Sequence, residues 1–468
     1  MPNAPLLNAQ NKVLALTSVA SFMISLDFQV IGAALNTIRT DLGASMELLE
    51  WTLNAYILSF AVLLFAGTAF GDRFGRRRML ITGIAVFAAA SAACGLAPNI
   101  AWLIAARAVQ GAGAALVMPL AMALLSGAFP PAERGKALGI FTGINGGALI
   151  AGPVLGGAIA GGFAWQWIFW INVPLGIVLM PLIYRNIGEA FGSKTRLDPG
   201  GIALVAGAAF ALVWGLTRGN DIGWRSDEVV ATLLTASALA SLFVAWEART
   251  EQPMLPLRLF RLRAFAAANV ASIPYYASIY GTMFLLAQFL QTAQGYGPLG
   301  AGLRILPWTA TLFFMAPIAG GLIGRVGEKP LVVLGIAMQA AGMAWIALIA
   351  TPSLSSLQLA VPLMLAGCGG SLAMPALQNA VLSGVPPSDI AKASGAFIML
   401  RFLGGMIGIA VMVATFSATG SASSPQAFTA GFTPAIGVSA VLSLLGTATA
   451  LLLPGRGAST IAAEAQEA

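Results

Sequence analysis

Long apolar stretches run through this chain, separated by short polar breaks. A helix that crosses the hydrocarbon of a bilayer needs about 20 mostly apolar residues. Fourteen stretches meet that length within a few residues: 13–35, 50–70, 79–97, 101–125, 136–160, 167–185, 200–217, 229–246, 265–291, 299–323, 330–350, 357–382, 391–417 and 431–453. The pattern predicts an all-α polytopic membrane protein. An even number of spans puts both termini on one side.

The polar breaks orient the spans. Of the 24 Lys and Arg residues, Arg39, Arg218, Arg225 and Arg304 fall in breaks on one side, and Arg107 and Arg401 lie within spans. The remaining 18 of the 24 fall in segments on the side of the N-terminus. Short loops rich in Lys and Arg stay in the cytoplasm. Both termini are therefore expected to be cytoplasmic, in a multi-pass protein of the inner (plasma) membrane of a bacterium. Composition agrees: 58% of the 468 residues are hydrophobic and 9% charged, against about 25% charged in a soluble domain. The net charge of +7 is spread over short loops and is no nucleic-acid footprint. The first apolar run is long, carries Asp27 and leads straight into further spans, unlike a cleavable signal. Cys94 and Cys368 both sit in apolar runs and read as buried thiols. There is no histidine, which removes the usual proton switch and commonest metal ligand.

The spans divide as six, two and six. A cytoplasmic N-terminus (1–12) precedes a six-helix bundle (13–185) and a cytoplasmic loop (186–199). Two inserted transmembrane helices (200–246) follow, then a cytoplasmic linker (247–264). A second six-helix bundle (265–453) ends in a polar tail (454–468), expected to be disordered and cytoplasmic. The two bundles read as a repeat. Gly71 Asp72 Arg73 Phe74 Gly75 Arg76 follows the second span of the first, and Gly324 Arg325 Val326 Gly327 Glu328 Lys329 follows the second span of the other. Paired halves around a midplane site are how transporters build alternating access.

The stretch Phe70 Gly71 Asp72 Arg73 Phe74 Gly75 Arg76 Arg77 Arg78 puts four arginines between two apolar runs. A tight, glycine-hinged loop is expected there. Its core, Asp72 Arg73 Phe74 Gly75 Arg76 Arg77, resembles the signature loop between the second and third spans of the major facilitator superfamily; Thr68 stands where that pattern has its leading glycine. The six-two-six division resembles the family's fourteen-span branch of drug–proton antiporters. The resemblance implies two six-helix bundles with two extra helices between them. It also implies a latch between the halves made by Asp72, Arg73, Gly75, Arg76 and Arg77.

Asp27 is the acid that lies well inside a span. An intramembrane carboxylate is expensive and is a functional hypothesis by default; the bland alternative is a buried acid that ties two helices through an arginine. Leu26 Asp27 Phe28 Gln29 Val30 resembles the family's first-span motif, although Gly32 and Asn36 depart from it. Leu103 to Gly113, around Arg107, resembles the fourth-span motif, whose arginine the family associates with proton coupling. Arg107 lies six residues below the outer end of its span and Asp27 about eight, depths of about 9 and 12 Å at the helical rise. The two are expected to pair, with Arg107 snorkelling to the outer surface as the alternative.

Gly146 Gly147 Ala148 Leu149 Ile150 Ala151 Gly152 Pro153 Val154 Leu155 Gly156 Gly157 resembles the antiporter motif of the fifth span. A proline kinks a helix, and small residues four apart let another backbone come close. Gly147, Gly152, Pro153, Gly156 and Gly157 are thus the candidate hinge. Trp165 to Gly176 resembles the same branch's entry to the sixth span, with Gln166 in place of an arginine, and its aromatics fit an interfacial belt. Leu400 to Ala410 resembles a further stretch of the branch, and Arg401 either faces the cavity or caps the interface of the halves. Gln110, Tyr275, Gln288, Gln291, Gln378, Asn379 and Arg401 are the candidates for the substrate cavity.

These readings converge on a proton-coupled exporter of amphipathic small molecules, working by alternating access, functional as a monomer, with no cofactor and no metal. Its partners are the substrate, protons and the bilayer. No intramembrane carboxylate beyond Asp27 is evident, so neutral, weakly charged or anionic substrates suit at least as well as dications. The alternative is a dedicated exporter of one metabolite or siderophore. A membrane-embedded enzyme lacks a nucleophile–base pair or metal cluster, a receptor lacks a sizeable soluble domain, and no ATP-binding loop is present.

Overall fold

The computed structural model describes residues 4–192, 198–251, 253, 255–386 and 389–455. Among them every regular element is helical. Thirteen helices are long and apolar enough to cross a membrane among the described residues, consistent with the fourteen spans expected.

The chain forms two compact units, Met1–Ile202 and Ala203–Ala468. The first contains α1 (Ala4–Asp41), α2 (Met46–Phe74), α3 (Arg76–Gly95), α4 (Ile100–Ala128), α5 (Pro131–Gly162), the single turn α6 (Trp167–Trp170) and α7 (Asn172–Asn186). Helix α8 (Pro199–Ile222) spans the boundary. The second unit continues with α9 (Asp227–Glu247), α10 (Arg263–Gln288), α11 (Pro298–Val326), α12 (Glu328–Ile349), α13 (Ser356–Leu382), α14 (Ile390–Thr419) and α15 (Pro425–Ala450).

In the first unit α4 packs against α2 and α3, α1 against α5, and α7 against α3 and α1. In the second, α13 packs against α11 and α12, α10 against α14, and α15 against α12 and α10. The scheme is the same. Glycines fix its register. Four pairs, Gly75 and Gly327, Gly83 and Gly335, Gly152 and Gly404, Gly156 and Gly408, stand at one separation of 252 residues (327 − 75). Gly75 and Gly327 join helices at φ +105° and +87°, where side chains are strained. The others let helices touch: a Cβ on Gly156 would lie 2.4 Å from the Val30 carbonyl oxygen, and one on Gly408 would meet the Ala277 carbonyl at 2.0 Å.

Several expected boundaries shift. The arginine-rich stretch is no loop. Arg73 lies in the last turn of α2, Arg76 to Arg78 begin α3, and Gly75 alone joins them. One glycine at positive φ turns the chain, and arginines tolerate a helix end that projects into water. Helix α1 runs to Asp41, so Asp27 lies 14 residues (41 − 27) from its end rather than eight. The sixth span breaks at Ile171, and the 265–291 span closes with a π-helical turn, Phe289–Ala293. The 247–264 linker contains a 3-10 turn, Leu257–Arg261. Lys194, Arg196 and the tail from Arg456 onward lie outside the described residues.

Candidate functional site

Four helices of the first unit converge on one carboxylate. Asp27 comes from α1, Ser91 from α3, Arg107 and Gln110 from α4, and Asn172 from the start of α7. Arg107 Nη1 donates to Asp27 Oδ2 at 2.7 Å. Gln110 Nε2 donates to the other oxygen, Oδ1, at 2.9 Å, and Asn172 Nδ2 to the same atom at 2.7 Å. Gln110 Oε1 accepts a second bond from Arg107 Nη1 at 2.6 Å, and Gln110 Nε2 also reaches Ser91 Oγ at 2.8 Å. Spacing explains the arrangement: Arg107 and Gln110 are three apart on one helix and so share a face.

The pair is sealed from water. Arg107 and Gln110 are fully buried, and Asp27 is 5% exposed. Arg107 Nε donates to the Thr52 carbonyl on α2 at 3.2 Å. The guanidinium lies 4.2 Å from the ring centre of Tyr56 and 5.8 Å from that of Phe169. Buried charges survive when paired and hydrogen-bonded, and here both conditions hold. Arg107 does not snorkel outward; the fold brings the two expected partners together although Asp27 sits deeper in its helix than the sequence suggested.

Gln110, a cavity candidate, takes part in the Asp27 network. Asn379 lies three residues from the end of α13 and donates to Glu328 Oε1 on α12 at 2.6 Å. Gln378 beside it is exposed. Tyr275 is fully buried between α10 and α13, its hydroxyl 3.5 Å from the Gly370 carbonyl. Gln288 is buried and bonds back to the Phe284 carbonyl, 3.2 Å away, while Gln291 sits in the π-helical turn. Arg401 is half-buried against α10, 4.6 Å from the Tyr276 ring centre and 3.3 Å from the Tyr280 hydroxyl.

At the α2–α3 joint, Arg76 binds Asp72 Oδ1 through Nε at 2.8 Å and Nη2 at 2.7 Å. Arg77 and Arg78 both point toward Glu189, and Arg73 is exposed. In α5, Gly152 and Gly156 carry the close contact with α1, and Pro153 and Gly157 are buried beside them. Gly147 has no such contact, its Cβ position being 4.0 Å from Phe22.

Sequence reasoning missed Ser91, Tyr56 and the role of Asn172. A lone amide in an apolar run was the available signal for Asn172; Ser91 gave none. It also placed Glu50 at a span end. The structure buries Glu50 completely on α2, where Asn54 Nδ2 donates to it at 2.8 Å.

The second unit answers the Asp27 site with a neutral cluster. Counting 252 residues on from Asp27 reaches Ile279, beside Ser278. Ser278 Oγ lies 2.7 Å from Ser439 Oγ, accepts from Ser443 Oγ at 2.8 Å and from Gln339 Nε2 at 3.1 Å, and all four residues are fully buried. Among the described residues no charged group takes part.

Comparison with known proteins agrees with this architecture. Residues 17–409 match the model of the Major Facilitator Superfamily. The multidrug resistance protein Stp of Mycobacterium tuberculosis is 35% identical over 86% of this chain and 75% of its own length. The tetracenomycin C resistance and export protein of Streptomyces glaucescens is 32% identical over 84% and 74%. The cephamycin export protein CmcT of Amycolatopsis lactamdurans is 34% identical over 96% and 93%. A crystal structure of a peptide transporter POT with sulfate superposes with a TM-score of 0.69 at 17% identity, covering 95% of this chain and 96% of that one. A bacterial homologue of the lysosomal transporter Spinster gives 0.68 at 17%, covering 95% and 97%. With its paired helical units, its Asp72–Arg77 joint and these matches, the chain is a multi-pass membrane transporter and belongs to the major facilitator superfamily.

Proposed function

We propose that this transporter is a drug:proton antiporter, exporting amphipathic small molecules by alternating access at the expense of the proton gradient. The observation that carries the reading is the buried Asp27–Arg107 pair with its amide partners. Ionised, the pair is neutral overall. A proton on Asp27 removes the counter-charge of Arg107 inside a sealed site, and four helices share the bonds that must then rearrange. Such a group has two states that a proton biases, which coupling requires. The relatives named for multidrug resistance and antibiotic export support an outward direction and small, varied substrates. The Asp72–Arg77 joint serves as the latch, and Gly152, Pro153, Gly156 and Gly157 let α5 move against α1. The arginine-rich side, with both termini, is cytoplasmic, and the monomer suffices.

The test is transport in inverted membrane vesicles, unaltered protein beside Asp27→Asn, with dyes and antibiotics as substrates and a pH-sensitive fluorophore reporting the gradient. Some compound should collapse the gradient with the unaltered protein and fail to do so with Asp27→Asn. Equal proton-coupled transport by the variant would make Asp27 structural. If no dye or antibiotic moves, a dedicated metabolite substrate becomes the better reading.

A further inference from the structure

Among the described residues, α2 is capped by its own Ser45 side chain, α4 by Asn99, α9 by Ser226, α13 by Ser355 and α15 by Ser424, and α8 by Asp198, whose Oδ1 accepts from the Gly201 N–H at 2.9 Å. Alternation along the chain puts every one of these starts except that of α8 on one side of the membrane. Helices α3, α5, α10, α12 and α14 start on the other side, and none has a side-chain bond from its own cap residue.

Helix α3 is the worst placed of these. Its cap residue is Gly75, its first turn holds no acid, and it opens with Arg76, Arg77 and Arg78. The first N–H groups of a helix lack intrahelical partners, and the helix dipole disfavours cations there. The corresponding start in the second unit, α12, opens with an acid instead, Glu328.

A distant segment supplies what α3 lacks. Past the end of α7 the chain folds back over the joint as residues 187–192. Glu189 Oε1 accepts from the Arg77 N–H at 2.9 Å, and its Oε2 lies 3.7 Å from Arg77 Nε and 3.6 Å from Arg78 Nε. The Arg76 N–H donates to the Ala190 carbonyl at 2.8 Å, and the Gly192 N–H to the Asp72 carbonyl at 3.3 Å. Glycines make room for both acids. A Cβ on Gly75 would come within 2.7 Å of the Glu189 carboxyl carbon, and one on Gly192 would fall on the Asp72 carboxylate.

We infer that Glu189 is a positioning residue for the α2–α3 joint. It caps α3 from outside and offsets part of the charge of Arg77 and Arg78, leaving Arg76 as the partner of Asp72. A second contact of the same kind closes within the second unit. Between α9 and α10, Arg258 Nη2 binds Asp389, the cap residue of α14, at 2.8 and 3.1 Å. Lys392 reaches the Pro253 carbonyl at 3.1 Å nearby. In the first clasp the connector brings the acid; in the second it brings the arginine. Each connector is closed on the start of a helix in its own unit. The consequence for transport rests on the latch reading of the joint, whereas the clasp itself does not.

Hydrogen–deuterium exchange of the full-length protein in lipid nanodiscs tests the clasp without any substrate. The amides of Arg76 and Arg77 should exchange at least tenfold slower in the unaltered chain than in Glu189→Ala. Glu189→Gln keeps an acceptor oxygen and loses the charge, so it should fall between the two. Amides at the start of α12 should not change in either variant. Equal exchange at Arg76 and Arg77 in all three proteins would overturn the inference. So would faster exchange that extends to the start of α12, because that reports general loosening rather than a lost cap.

Discussion

At the scale of single residues, the first unit holds a buried charge pair whose members are worth more together than apart. Breaking a buried pair by removing one partner costs about 3–5 kcal/mol, whereas replacing both with apolar groups of similar volume is often close to neutral. Asp27→Leu and Arg107→Met should each lower thermal stability markedly, and the double variant should recover most of the loss while remaining unable to couple protons. Thermal unfolding in detergent, read as a double-mutant cycle, checks this; additive losses would mean that the two groups are not coupled. Asp27 and Arg107 were legible because a charge within an apolar run stands out. Ser91, Tyr56 and Asn172 were not, because their parts depend on partners from other helices. Ser91 and Asn172, for example, are 81 positions apart. Glu50 was misplaced for a related reason: closeness to a helix end says little about burial once neighbouring helices overhang it.

At the scale of helices, glycine positions sort into those that hold a neighbour and those that do not. Gly156 and Gly408 lie against carbonyls of α1 and α10, and a methyl group there must push helices apart. Overpacking of this sort costs about 1–3 kcal/mol. Gly143 and Gly437 have open space around them, and Ala in a helix interior gains about 0.5–1 kcal/mol over Gly. Gly156→Ala and Gly408→Ala should therefore lower the melting temperature, while Gly143→Ala and Gly437→Ala leave it unchanged or raise it. The same ranking in both units is expected, since their contacts repeat at one spacing. Sequence pattern pointed to the α5 glycines as a motif, but counted Gly147 among them, because a motif records residue types and not which face meets a partner.

For the whole molecule, apolar run lengths were enough to find the helices. What they left out is how connectors lie. The segment 187–192 looks like any polar loop until its carbonyls and Glu189 are seen on the start of α3. If that clasp sets the geometry of the latch, Glu189→Ala should reduce maximal export of whichever compound the vesicle assay identifies several-fold with KM little changed. Initial rates over a substrate series check this, and a raised KM at full maximal rate would point to the substrate site instead.

If the proposed antiport holds, the compensated pair also decides how voltage acts on the protein. A carrier whose buried site is neutral when empty crosses between its two orientations without feeling the field, and one extra proton makes it carry a charge. Each charge moved through a potential of 100 mV is worth about 2.3 kcal/mol. Exchange of one proton for a neutral compound is then electrogenic, driven by voltage as well as by the pH difference. Exchange of one proton for a monovalent cation is electroneutral and answers to the pH difference alone. A potassium diffusion potential imposed on proteoliposomes at equal pH would drive the first and leave the second idle, so that the charge of a substrate can be read from the voltage dependence of its export.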